Sequence, residues 1–226
     1  MNNWDLISDL VDSGVLKSSQ IIEAFKNVDR VDFVPDYFKE FPYVDAPLSI
    51  GYGQTISQPT TVAIMLELLH PQKGDHVLDI GSGSGWTTTL LAYIVGDSGK
   101  VAGKEIIPEL VEFGSKNLAK YNFINATIST AVSTTPEISD PGSKTLDINN
   151  SQVQQPLWLI GTPGVLYDRI LVSASAEKFP SELLGQLKND GRLVIPVQNS
   201  IWLYKKDKKG EISKEEYPGF VFVPLK

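Results

Sequence analysis

The chemically richest stretch of the chain is Val77-Leu78-Asp79-Ile80-Gly81-Ser82-Gly83-Ser84-Gly85. A short apolar run carrying one acid turns into alternating glycines, and helix-compatible residues follow. Glycine lets the backbone take positive φ and come close to a ligand. At the carboxyl end of a parallel strand such a turn builds a binding crevice. The spacing G-x-G-x-G differs from the dinucleotide fingerprint G-x-G-x-x-G. Asp79 precedes the glycines, where it would repel a pyrophosphate and attract a ligand with cationic groups. S-adenosylmethionine is such a ligand: it has a sulfonium, an ammonium and no phosphate. Glu105 closes the next apolar run, about 20 residues past the glycines, where an acid suits ribose hydroxyls. Asp79, Gly81, Ser82, Gly83 and Glu105 are therefore the expected cofactor residues. The bland alternative is a glycine-rich turn with no ligand.

The surrounding pattern positions this turn. Residues 76–80, 100–105, 168–173 and 191–197 read as strands, and 84–95, 108–120 and 180–188 as helices. Alternating apolar strands and helices imply a mostly parallel sheet with helices on both faces. Residues 200–206 and 217–224 read as an antiparallel hairpin around a basic turn. Upstream, Trp4, Leu6, Ile7, Leu10 and Val11 share one helical face that Gly14 ends, and Ser18 or Ser19 caps a second helix over 21–25. Pro35, Pro42, Pro47, Gly51 and Gly53 break regular structure over 35–59. Pro59 then opens a helix bearing Val62, Met65, Leu66 and Leu69. Residues 129–164 follow no period and are rich in Ser, Thr, Asn, Gln and Pro, with 156–160 a candidate short strand.

Composition narrows the classes. The 226 residues carry 20 Lys+Arg against 27 Asp+Glu, a formal charge of −7 that argues against gripping nucleic-acid phosphates. Zero cysteines exclude disulfides, cysteine metal sites and thiol nucleophiles. His70 and His76 have no third ligand at metal spacing, so no metal is expected. No apolar run approaches the ~18–20 residues that cross a bilayer. The acidic N-terminus lacks a signal-peptide layout, so a cytoplasmic protein is expected. Lys205-Lys206 and Lys208-Lys209 read as a solvated hairpin tip, and Trp86, Trp158 and Trp202 as core or cofactor-wall residues.

A second stretch carries a resemblance. Asp45-Ala46-Pro47-Leu48-Ser49-Ile50-Gly51-Tyr52-Gly53-Gln54-Thr55-Ile56-Ser57 closely resembles the D-x-P-L-x-I-G-x-G-Q-T-I-S of the protein-L-isoaspartate O-methyltransferase family. Val28 to Pro35 is similar to its V-x-R-x-x-F-V-P. Tyr167 to Ile170 with Ser173 to Ala176, Gln186 to Val197, and Phe222-Val223-Pro224-Leu225 resemble further family segments, so nearly the whole chain is covered. The resemblance implies a single Rossmann-like methyltransferase domain over 1–226. Residues 1–58 form the substrate side, 59–226 the cofactor core, and about 133–160 a polar insertion. It also implies a reaction: methyl transfer from S-adenosylmethionine to the free carboxylate of isoaspartyl residues in damaged proteins. The ester then closes to a succinimide that can reopen as aspartate. A carboxylate of pKa near 4 is about 99.9% ionised at pH 7, so no general base is required.

By matching positions, Ser57 is the family's active-site serine. Its hydroxyl would hold the substrate carboxylate as a donor, because no His/Asp partner makes it a nucleophile. Its alternative is an N-cap for the helix after Pro59. Thr55 and Ile56 would flank the cofactor. Val223, Pro224 and Leu225 resemble the segment lining the peptide channel, with an edge strand as the alternative. The chain departs from the family at Ala131-Val132-Ser133, where a G-D-G acid usually accepts from the adenine amine. One such hydrogen bond is worth about 0.5–1.5 kcal/mol. Asp140-Pro141-Gly142 is a candidate replacement, or simply a turn. Lys104 and Asn189-Asp190 also differ from the pattern, without removing a chemical group. The expected partners are isoaspartyl proteins and peptides, with the enzyme a monomer. The alternatives are a member that methylates another carboxylate and one that has lost transfer.

Overall fold

The computed structural model describes residues 2–131 and 164–225. Nine strands and five α-helices are numbered in chain order. The central elements follow from the apolar runs that begin at His76. Strand β3 (His76–Ile80) leads through the glycine turn into α4 (Trp86–Val95), then β4 (Lys100–Glu105), α5 (Pro108–Ala119) and β5 (Ala126–Thr130). Strand β6 (Tyr167–Val172) pairs with the opposite edge of β3, and β7 (Leu187–Val197) pairs with β6, both parallel. Strands β8 (Ser200–Lys206) and β9 (Ile212–Pro218) extend the sheet antiparallel. The order is β5-β4-β3-β6-β7-β8-β9. The chain therefore departs from β3 to both sides, a topological switch point that opens a crevice at the carboxyl ends of the strands.

Alternation along the strands divides the core. Val77, Val101, Leu171 and Val194 face a layer made of α1 (Asn3–Asp12), α2 (Ser19–Asn27), α3 (Pro59–Leu69), α4 and α5. Leu78, Ile80, Ile170, Val172, Leu193 and Ile195 face the other way, towards Leu183 on a 3-10 segment, Ser181–Gln186. Covering both faces is what lets parallel strands be apolar throughout.

Several expectations change. The C-terminal hairpin turns at 207–211, so its second strand is Ile212–Pro218 rather than 217–224. That strand is almost wholly exposed and rich in Lys and Glu, as suits an unpaired sheet edge. The apolar residues that suggest a strand lie in the segment after it. The expected helix over 180–188 is a short 3-10 turn, and β7 starts at Leu187. Asp190 sits at φ +62, where the ladder with β6 skips register. Strand β5 went unread because only Ala126 of its five residues is buried. Trp4 and Val11 point outward, Trp4 beneath the Lys26 ammonium, leaving Leu6, Ile7 and Leu10 as the inner face of α1. Ser18 does occupy the N-cap of α2, but its hydroxyl donates to Glu67. The basic turn is paired locally: Lys205 with Glu215, and Lys206 on the Leu187 carbonyl. Residues 132–163, with Trp158, the 156–160 strand and the Asp140 turn, lie outside the described residues.

Between α2 and α3, where breakers dominate, the chain forms two short 3-10 turns and a small hairpin of β1 (Leu48–Gly51) and β2 (Gln54–Ile56). This hairpin folds over the glycine turn. A Cβ on Gly83 would lie 3.3 Å from the tip of the Ile50 side chain, a tight contact that Ile50 would have to yield to, and the φ of +49 at Gly83 favours glycine there.

Candidate active site

Three cavities meet at the carboxyl edge of the sheet. The first is an open cleft of about 720 Å³, counted out to solvent, with Gly81, Gly83, Glu105 and Ile107 on one side and Thr55 and Pro224 on the other. The second, about 690 Å³ by the same measure, holds Ser57, Gln58, Thr61 and Phe222. A smaller one lies between them and the start of α4, against Ser82 and Trp86. Thr55 and Ser173 border all three.

The first cleft is built on the glycine turn. Gly81 and Gly83 adopt φ +78 and +49, and the Lys104 carbonyl accepts the Gly81 N–H at 2.7 Å. Glu105 is 6% exposed and accepts from three backbone amides: Gly83 through Oε2 at 3.0 Å, and Ile106 and Ile107 through Oε1. A carboxylate offers about four lone-pair sites, so Oε2 keeps one for a ligand hydroxyl. The Ser82 hydroxyl is buried with no hydrogen-bond partner among the described residues. A spare acceptor, a spare hydroxyl, glycines that clear the floor and apolar Ile106 and Ile107 fit S-adenosylmethionine. Ala131 borders the cleft with no polar side-chain atom, so the adenine acceptor expected one residue later is not supplied by it.

Asp79 is anchored from α4. It lies behind the turn, wholly buried, and its Oδ2 accepts from Thr88 at 2.6 Å and Thr87 at 2.8 Å. It ties the end of β3 to the first turn of α4, while its Oδ1 is buried with no hydrogen-bond partner among the described residues. Burial pushes its pKa up to about 6, against the pull of the two threonine hydroxyls. Above pH 6 the fold therefore holds a charge that the unfolded chain would solvate. That cost disappears as pH falls from about 6 to about 4. Asp79→Asn should accordingly gain on the wild type by up to about 2–3 kcal/mol on going from pH 4 to pH 7. Urea melts of both proteins at the two pH values measure this; a pH-independent gap would refute it.

Ser57 follows β2 and its hydroxyl has no partner among the described residues, so it is available to the second cleft. It is not the helix cap. Gln58 occupies that position, and the Thr60 N–H is capped from a distance by Asp45 at 2.9 Å. The Ser57 carbonyl accepts from Arg30 at 2.8 Å. Ile56 is buried beneath and borders the small cavity. After β9 the chain returns across the sheet edge. Ser175 N–H donates to the Val223 carbonyl at 2.7 Å and Leu225 N–H to the Ser175 carbonyl at 2.8 Å. Val223, Pro224 and Leu225 thus form a strap on the first cleft, held by a parallel β-bridge between Pro224 and Ser175, and Val223 also faces the second. Sequence reasoning gave no role to Arg30, Ile50 or Ser173. A polar residue ending an apolar strand, as Ser173 does, was the available signal. Among the described residues no group of His, Asp and Glu could hold a metal.

This arrangement has close counterparts. The sequence model of the protein-L-isoaspartate(D-aspartate) O-methyltransferase family matches residues 1–135 and 160–226. A Methanopyrus kandleri protein-L-isoaspartate O-methyltransferase is 39% identical over 97% of this chain and 89% of its own. Protein-L-isoaspartate O-methyltransferase 2 of Archaeoglobus fulgidus is 41% identical over 92% and 86%. Among solved structures, a Plasmodium falciparum protein described as a protein-L-isoaspartate O-methyltransferase, in complex with S-adenosyl-L-homocysteine, superposes with a TM-score of 0.77 at 26% identity, covering 100% of this chain and 99% of that one. A cleft on the glycine turn stands beside a serine-bearing second cleft, and the sequence agreement on both sides of the 136–159 gap places this chain in the protein-L-isoaspartate(D-aspartate) O-methyltransferase family.

Proposed function

We propose that the protein transfers a methyl group from S-adenosylmethionine to the free carboxylate of isoaspartyl residues in damaged proteins, as a protein-repair O-methyltransferase. The observation that carries this reading is the shared wall. Thr55 faces both large clefts, and the unpartnered Ser57 hydroxyl stands two residues on in the second. When bound in the first cleft, S-adenosylmethionine supplies an electrophilic methyl. The chain supplies everything else by position. Glu105 accepts from the ribose side of the cleft, and Ile106 and Ile107 offer an apolar wall. Ser57 donates to the acceptor carboxylate, which arrives already ionised. Thr55, Ile56, Gly81, Ser82 and Gly83 shape the cofactor side. Val223, Pro224 and Leu225 close the edge and keep water out. Alignment of this kind can supply as much as ~7–11 kcal/mol of barrier reduction.

The same reading makes the chain a single catalytic domain with residues 1–58 on the substrate side. It works as a monomer in the cytoplasm on proteins and peptides rather than on nucleic acid. The charge of −7 supports that choice of partner, and among the described residues no helix is long and apolar enough to cross a membrane.

Incubation with labelled S-adenosylmethionine and an isoaspartyl peptide, beside its aspartyl twin, tests the proposal. Base-labile label should enter the isoaspartyl peptide alone. Ser57→Ala should lower kcat/KM about 10–100-fold, the worth of a hydrogen bond to a charged group, with S-adenosylhomocysteine affinity within about twofold. Unchanged turnover would remove Ser57 from the site, and label in neither peptide would end the proposal.

A further inference from the structure

We propose that Ser173 is a second hydroxyl donor to the acceptor carboxylate, acting together with Ser57 in the cleft that both residues line. The inference rests on the methyltransferase reading above. Ser173 stands one residue past β6, and its N–H donates to the Ile80 carbonyl at 2.8 Å. The β3–β6 ladder thus fixes its backbone beside the glycine turn: a Cβ built on Gly81 would meet the Ser173 carbonyl carbon at 3.8 Å. From there it borders the cleft on the glycine turn, the Ser57 cleft and the small cavity between them. A group that must touch an acceptor at the moment of transfer belongs at that junction.

The hydroxyl itself is uncommitted. In Ser173-Ala174-Ser175, the Ser175 hydroxyl donates to the Gln198 carbonyl at 3.0 Å, whereas that of Ser173 has no partner among the described residues. Neither nearby acid accepts from it. Glu105 is held by three amides and Asp79 lies behind the turn. A hydroxyl donates one proton, and a carboxylate has two oxygens. Ser57 alone would leave the acceptor free to rotate about its carbon–carbon bond. A second donor on a different element fixes the carboxylate plane and leaves a lone pair aimed across the shared wall. Ser57 rides on a loop and Ser173 on the sheet, so the pair also couples that loop to the rigid core.

The test uses the full-length protein saturated with S-adenosylhomocysteine and titrated calorimetrically with an isoaspartyl peptide, alongside steady-state kinetics. Ser173→Ala should weaken peptide binding and lower kcat/KM about 10–100-fold, with S-adenosylhomocysteine affinity within about twofold. Ser173→Thr, which keeps the hydroxyl, should recover to within about threefold of wild type. Ser57→Ala combined with Ser173→Ala should fall short of the product of the single effects, because both donors serve one carboxylate. Peptide binding unchanged in Ser173→Ala would overturn the inference. So would a parallel loss of S-adenosylhomocysteine affinity, which would assign the hydroxyl to the cofactor side. If the wild type neither binds nor methylates the isoaspartyl peptide, the underlying reading falls and this one with it. An active wild type with an indifferent Ser173→Ala sinks this inference alone.

Discussion

Arg30→Met is expected to cost about 3–5 kcal/mol of stability and to lower kcat/KM more than about 100-fold in the fraction that stays folded. Arg30 is wholly buried. Its guanidinium donates to the carbonyls of Pro42 at 2.8 Å, Ser57 at 2.8 Å and Ala46 at 3.3 Å, and lies 4.6 Å above the Trp86 ring. One side chain thus satisfies three acceptors of the breaker-rich segment that ends at Ser57. Burial pushes its pKa down to about 9, against the pull of Asp45, so at neutral pH the cation persists and its three donors stay committed. Methionine matches the volume and donates nothing. The Pro42 carbonyl would be left unpaired in the interior and those of Ser57 and Ala46 unpaired in part-buried positions, and an unsatisfied buried group costs about 1–3 kcal/mol. The segment would pull away to find water, carrying Ser57 with it. Arg30→Lys keeps the charge but not the planar fork, so it should fall between the two. Chemical denaturation with parallel peptide kinetics decides the matter; wild-type stability in Arg30→Met would contradict it.

Legibility in the sequence tracked how strongly each residue's neighbours in the chain determine its surroundings. Strand β3, the glycine turn, α4 and β4 were readable because apolar runs and glycines act locally. The site on the glycine turn was readable for the same reason, and Glu105 for its place at a strand end. The acid character of Asp79 was legible while its direction was not. Only the fold shows that Thr87 and Thr88, one turn into α4, take its carboxylate. Arg30 and Ser173 are 143 positions apart, and each meets the site through partners remote in sequence. Their types announced nothing by spacing. Strands β5 and β9 escaped for another reason: edge strands bury little, so they carry polar residues and no clean alternation.

The close approach of α5 to the glycine turn carries the second large effect. A Cβ on Gly85 would sit 2.7 Å from the Gly114 carbonyl oxygen and 3.1 Å from the Ile128 side chain. A Cβ on Gly114 would sit 2.7 Å from the Gly83 carbonyl oxygen. The two carbonyl oxygens are backbone, so no rotamer relieves those contacts. Gly85 also holds φ +85 while its N–H donates to the Ser82 carbonyl at 2.7 Å, which locks the turn before α4 begins. Gly85→Ala combines left-handed strain of about 1–2 kcal/mol with overpacking of about 1–3 kcal/mol. A total loss of about 2–5 kcal/mol is expected. Gly114→Ala separates the two causes. It lies inside α5, where alanine should gain about 1 kcal/mol of helix propensity, so any net loss is steric. The helix can yield only by backing away from the Gly83 carbonyl, whose amide is held by Glu105. Gly114→Ala should therefore weaken S-adenosylhomocysteine binding as well as stability. Gly185→Ala, where a Cβ meets nothing within 4 Å, should do neither. Thermal melts with and without S-adenosylhomocysteine compare the three. If Gly114→Ala is more stable than wild type and binds normally, the turn and α5 do not depend on this contact.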